Sequence, residues 1–301
     1  MRFPAQTLPL ILLLLVIAAC GDKQTSNAPQ QLQRPEFIIA VNTPLQYFAQ
    51  RLLDDEIEVL MLAPEDTDPA QWQPSVEDVL QLQQAQLILL NGAGYSNWLS
   101  KVSISDSALV NTSAAAREQW IELEGEVSHS HGPGGEHAHG GYAITTWMDM
   151  NLAQDQAKEV ARALQERWPE KTESIDRHLS ALLADISAID EGFMMAATQL
   201  EGRQLIYSHP VYQYFERRYD LHGVSLHWEP DLMPSDKQWR ELAQLNTENT
   251  LFIWEASPST EIADRMKESG IKFVTLDPAA NQREKDWMTV QQENLLRLSP
   301  Q

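Results

Sequence analysis

One cysteine in 301 residues, Cys20, excludes a disulfide framework, and it excludes a thiolate metal site in any fold that begins after it. Basic side chains are also scarce: 22 Lys and Arg stand against 43 Asp and Glu, for a net charge of -21. That balance argues against nucleic acid, whose phosphates need Lys and Arg for neutralisation. It equally argues against adhesion to anionic lipid through a basic face. No His-Glu-x-x-His word, Gly-rich phosphate loop or Gly-x-Ser-x-Gly elbow occurs, so the expectation is no enzyme. The apolar run at 8–17 is too short for a comfortable membrane span.

That run has a different use. Arg2 precedes it, and Ile17-Ala18-Ala19-Cys20-Gly21 follows, the pattern of an export signal over residues 1–19. The ending resembles a bacterial lipobox, which makes Cys20 the lipidated first residue of the mature chain. Residues 20–35 are polar and Pro/Gln-rich, as suits a tether. The expectation is an exported, lipid-anchored protein on the periplasmic side, attached to membrane by the lipid alone. Its 43% hydrophobic content and nine tryptophans describe a globular body.

Half of the eight histidines fall in His129-Ser130-His131-Gly132-Pro133-Gly134-Gly135-Glu136-His137-Ala138-His139. So little apolar surface cannot offset the backbone entropy lost on folding, so the tract builds no core. It can bring several imidazoles to one ion, with zinc first among metals that use neutral imidazole. A solvated loop is the bland alternative.

On either side, strands and helices alternate. Phe37-Ile38-Ile39-Ala40-Val41, 57–62, Leu87-Ile88-Leu89-Leu90 and 108–110 read as strands, with helices over 44–53 and 75–85. Helical periodicity then covers 151–168 and about 170–200, the second long enough to join two lobes. The alternation restarts with strands at 205–207, 224–226, 251–254 and 272–276 and helices at 211–219, 235–245, 260–269 and 284–298. The fold class is α/β: two lobes with mainly parallel sheets joined by a long rigid helix. The N-terminal lobe spans 36–150 and includes the His-rich loop 128–141. A helical segment spans 151–201, and the C-terminal lobe spans 202–301.

Ligands in open parallel sheets sit beyond the carboxyl ends of strands. There the chain places His209, Glu255 and Asp277, an imidazole and two carboxylates suited to a hard-to-borderline cation. Each has an ordinary reading, His209 and Asp277 as turn residues among them. His227 is a spare donor or a surface histidine, and His178, in the long helix, is structural. Trp72, Trp147 and Trp254 read as core before pocket.

Several words in order carry a resemblance: Ala85-Gln86-Leu87-Ile88-Leu89-Leu90-Asn91-Gly92, Ser208-His209-Pro210-Val211-Tyr212-Gln213-Tyr214-Phe215-Glu216-Arg217-Arg218-Tyr219, Glu229-Pro230 and Leu276-Asp277-Pro278. From Phe37 onward the chain resembles the zinc and manganese receptors of bacterial ABC transporters. The resemblance implies a monomeric receptor that holds Zn²⁺, or Mn²⁺ or another divalent ion, between its lobes and delivers it to an ABC permease and its ATPase. Three histidines and a carboxylate are the implied ligands. His209 and Asp277 match two of these positions, whereas Ala70 and Thr145 stand where histidines belong.

Two donors rarely hold zinc tightly. Three readings therefore stay open. Nearby donors complete the site, with His137 and His139 ahead of His129 and His131, or with Asp66, Asp68 or Asp149. Alternatively, the loop itself is the binder, in an accessory chaperone or buffer. In the third reading the cleft takes an organic ligand between tryptophans. Because imidazole must be neutral to ligate, capture is expected to weaken below about pH 6.5.

Overall fold

The computed structural model describes residues 36–123, 127–130, 136–139 and 141–299. The expected leader 1–19, Cys20, the expected tether 20–35 and His131 lie outside the described residues. The first sheet is built by β1 (Phe37–Ala40), β2 (Glu58–Leu60), β3 (Leu87–Leu90) and β4 (Leu109–Asn111), alternating with α1 (Thr43–Leu53) and α2 (Val76–Gln84). Its order is β2-β1-β3-β4, parallel throughout. A hairpin of β5 (Val127–Ser130) and β6 (Glu136–His139) follows, then α3 (Met150–Arg167) and α4 (Thr172–Leu200). The second sheet comprises β7 (Gln204–Tyr207), β8 (Gly223–Ser225), β9 (Thr250–Trp254) and β10 (Phe273–Thr275). Between and after them run α5 (Gln213–Tyr219), α6 (Asp236–Leu245), α7 (Thr260–Glu268) and α8 (Trp287–Leu298).

The second sheet reads β10-β9-β7-β8, again parallel. Counted within each sheet, both have the order 2-1-3-4. The chain moves one way from its first strand and then crosses to the other side, so a crevice opens between the first and third strands. In the first sheet the crevice lies between β1 and β3, and in the second between β7 and β9.

Helix α4 has 29 residues and spans about 44 Å at 1.5 Å per residue. Ile175, Leu182, Ile186, Ile189, Phe193 and Leu200 recur at three-, four- and seven-residue steps and are buried along one face. Burying each of these side chains stabilises the fold by roughly 2 kcal/mol. Helices α1 and α8, from opposite ends of the chain, meet through Phe48 and Trp287, edge to face at 5.1 Å. The two sheets thus share one apolar core.

Polar ties add to it. The Asn281 amide donates to the carbonyls of Pro64 and Thr67 at 2.7 and 2.8 Å, and the Trp147 indole donates to the Pro278 carbonyl at 2.6 Å. Asp190, buried in α4, accepts from Arg218 and from the Tyr219 hydroxyl. His178, in the same helix, bonds the Leu52 carbonyl at 3.0 Å through Nδ1, a structural role.

Candidate metal centre

Ser208 sets the site. As the first residue beyond β7 it is fully buried, and its hydroxyl accepts the Glu255 N–H at 3.0 Å while its carbonyl accepts the Trp228 N–H at 3.0 Å. It therefore ties the ends of the strands on both sides of β7 to the residue that follows, His209. The last ladder pair between β7 and β9 is Tyr207 with Ile253, and two residues beyond it are His209 and Glu255. These two side chains stand at the crevice where the strand order reverses.

His209 is 4% exposed. Its Nδ1 lies 2.9 Å from Glu255 Oε1, and its Nε2 lies 3.4 Å from Glu229 Oε1. One donor atom from each of His209, Glu229 and Glu255 falls within 4.8 Å of the others, and no second group of this kind occurs among the described residues. Burial by itself lowers the imidazole pKa, but the two carboxylates outweigh it and carry the value from 6.5 up to about 9. The proton that a metal must displace is thus held more firmly than an ordinary histidine's, which moves the expected threshold up from pH 6.5.

The two contacts have different lengths, and the difference is informative. Two ligands at 2.0–2.1 Å from a tetrahedral zinc stand about 3.3 Å apart. The His209–Glu229 spacing matches a pair bridged by an ion, whereas the shorter Glu255 contact suits a carboxylate orienting the ring from its far nitrogen.

Asp277 lies outside this three-residue group. Its Oδ1 accepts the Ala279 N–H at 2.7 Å and its Oδ2 accepts the Gln282 amide at 2.6 Å. Burial raises its pKa. To ligate, it would give up one of these partners. Ala70 is buried, and Thr145 is buried with its hydroxyl donating to the Val211 carbonyl at 2.6 Å. The residue at the second histidine position therefore fastens the 145 segment to the backbone just after His209.

Of the other suggested donors, Asp149 caps α3 through the Asn151 N–H and accepts from Arg217 at 3.0 Å. Asp68 accepts the Ala70 N–H at 2.9 Å, and Asp66 is exposed. Trp147 and Trp254 have no exposed surface and offer an organic ligand nothing, whereas Trp72, 8% exposed, lines a small cavity with Trp98. In the histidine tract the hairpin register sets His129 opposite His137 and Val127 opposite His139. The positions of those side chains lie outside the described residues.

The group combines Glu255, which the strand ends had already set beside His209 as a cation donor, with Glu229, which the sequence had noted only in the word Glu229-Pro230. The signal that could have joined them was the strand order, which brings the ends of β7 and β9 together. No motif states that order.

Residues 38–300 match the family described as periplasmic component A of the zinc-uptake complex, ZnuA. The chain is 22% identical over 298 residues to the zinc-binding lipoprotein AdcA of Streptococcus pneumoniae, covering 94% of this chain and 58% of AdcA. It thus spans about three fifths of that relative's length. It is 23% identical to the high-affinity zinc uptake system protein ZnuA of Bacillus subtilis, over 87% of this chain and 84% of that one. The fold matches the Zn(II)-bound ZnuA-like domain of S. pneumoniae AdcA with a TM-score of 0.74 at 19% identity, over 87% of this chain and 97% of that domain. Proteins of this kind are non-enzymatic components of transport systems. The chain belongs to the ZnuA family of periplasmic zinc-uptake components.

Proposed function

We propose that the chain is an exported receptor that captures Zn²⁺ at the His209 centre and delivers it to an ABC permease driven by an ATPase. The carrying observation is the 3.4 Å spacing of His209 Nε2 and Glu229 Oε1, with Glu255 behind the ring. Burial of His209 and the surrounding carboxylates favour a cation there over a neutral ligand. Anchoring through a lipid on Cys20 belongs to the same reading. It agrees with the lipobox-like ending and with the absence, among the described residues, of a helix long and apolar enough to cross a membrane.

The His-rich hairpin supports a second reading, an accessory zinc buffer, because its register pairs His129 with His137. Zinc competition titration separates the two, using the full chain, His209→Ala and a chain lacking 129–141. A receptor centred on His209 loses its tight site in His209→Ala and keeps it without the tract. The reverse pattern would establish the buffer, and loss in both would make the tract a contributor of ligands to the His209 centre.

A further inference from the structure

Resting on that reading, we infer that His227 is a direct metal ligand, so that His209, His227 and Glu229, all from the second sheet's edge, hold the ion without a donor from the first lobe.

The path of the chain after β8 carries this. Leu226 N–H donates to the Tyr207 carbonyl at 2.8 Å, and Trp228 N–H donates to the Ser208 carbonyl at 3.0 Å. In a regular parallel ladder, two steps along one strand advance the acceptor by two. Here the acceptor advances by one, so the outer strand carries an extra residue, as in a β-bulge. Bulges re-aim a side chain and recur beside functional sites. The residue at the bulge is His227.

Its ring stands beside that of His209, outside the group of donor atoms that His209, Glu229 and Glu255 form, so a rotation of the exposed His227 side chain brings its nitrogen to the ion. The His209 and His227 centroids are 6.1 Å apart with planes at 82°. Trp228 fixes the intervening geometry: it is 2% exposed and packs on Trp239, Phe252 and Trp254. Trp228 turns into the core, while His227 is exposed and Glu229 half-buried. Glu229 is already at His209 Nε2. At the far end, the Pro230 carbonyl accepts the Ser259 N–H at 2.7 Å, which pins the segment.

His227 is exposed where His209 is buried. A buried, oriented first ligand and a solvent-facing second one form a site open to an arriving ion, and two imidazoles with one carboxylate make a three-protein-ligand set typical of open zinc sites. The consequence is that Ala70 and Thr145 need no substitutes. The first lobe braces the site and does not ligate.

The test is zinc added to one equivalent of the full-length, isotope-labelled chain, following the imidazole ¹⁵N resonances, together with competition titration of His227→Ala. Both His209 and His227 nitrogens should shift, and His227→Ala should weaken zinc on the order of 100-fold, at or beyond the upper end of outer-shell losses. If the His209 resonance moves while that of His227 stays and the variant binds normally, this inference is overturned and the His209 centre stands. If zinc binds tightly and His209 does not move, the centre itself is wrong, and this inference falls with it.

Discussion

Glu229 Oε1 faces Nε2 of His209 at 3.4 Å, while Glu255 Oε1 meets the other ring nitrogen at 2.9 Å. One imidazole thus has a carboxylate at each nitrogen, and the two carboxylates are assigned different tasks. Glu229→Gln removes a charged ligand and should abolish tight zinc binding. Glu255→Gln leaves the ligand set intact but loosens the ring, for a loss of about 10- to 100-fold. Competition against a chelator of known affinity measures both, and equal losses would refute the division of roles.

The raised pKa of His209 sets the pH dependence. An imidazole with a folded value near 9 against 6.5 unfolded stabilises the metal-free fold fully below pH 6.5 and loses that contribution as pH rises through about 9. Zinc needs the neutral ring, so binding expels a proton throughout the physiological range. Affinity should rise about tenfold per pH unit from pH 6.5 toward 9. Calorimetry in buffers of different ionisation enthalpy would report one proton released at pH 7.5. Release of none would remove His209 from the ligand set.

Thr145→Val tests the brace. The substitution keeps the shape but removes the donor to the Val211 carbonyl. Leaving such an acceptor without its partner costs about 1–3 kcal/mol. Denaturant unfolding of the metal-free chain should show that loss, with zinc stoichiometry unchanged.

Asp190→Ala should be more damaging. Asp190 is buried and answers both Arg218 and the Tyr219 hydroxyl, so its removal leaves Arg218, beside the joining helix, with Asp149 at 4.0 Å as its carboxylate partner. A loss of about 3 kcal/mol or more in unfolding free energy is expected. A loss below 1 kcal/mol would show that water replaces the pair.

Most of the architecture was legible along the chain. Apolar runs placed β1, β3, β7 and β9 to within a residue or two, and the helices expected from Ser75 and Ser235 are α2 and α6, each capped by that serine. Boundaries moved at short strands, at the starts of α5 and α8, and in the histidine tract, where a loop was expected and the hairpin β5–β6 is found. β8 begins at Gly223 and ends at Ser225, because Gly223 is needed where a Cβ would meet the Tyr207 ring at 2.3 Å, and because the bulge at His227 ends the ladder. A local pattern carries no information about an approach from sixteen residues away.

The candidate site was half legible. His209 stood out as a histidine directly after a buried strand, and Asp277 by resemblance. Glu255 was named with them by its place at a strand end, whereas Glu229 was not, since a carboxylate in a loop is ordinary until its neighbours are known. The sequence by itself determined the surplus of negative charge, the two α/β lobes and the histidine tract, all of which depend on composition or on periods of two and 3.6 residues. Only the tertiary structure decided which strand ends share a crevice, that Asp149 belongs to Arg217, and that the His209 ring lies between two carboxylates with His227 beside it. These depend on strand order and on contacts across long stretches of chain, which the folded packing sets and no local window contains.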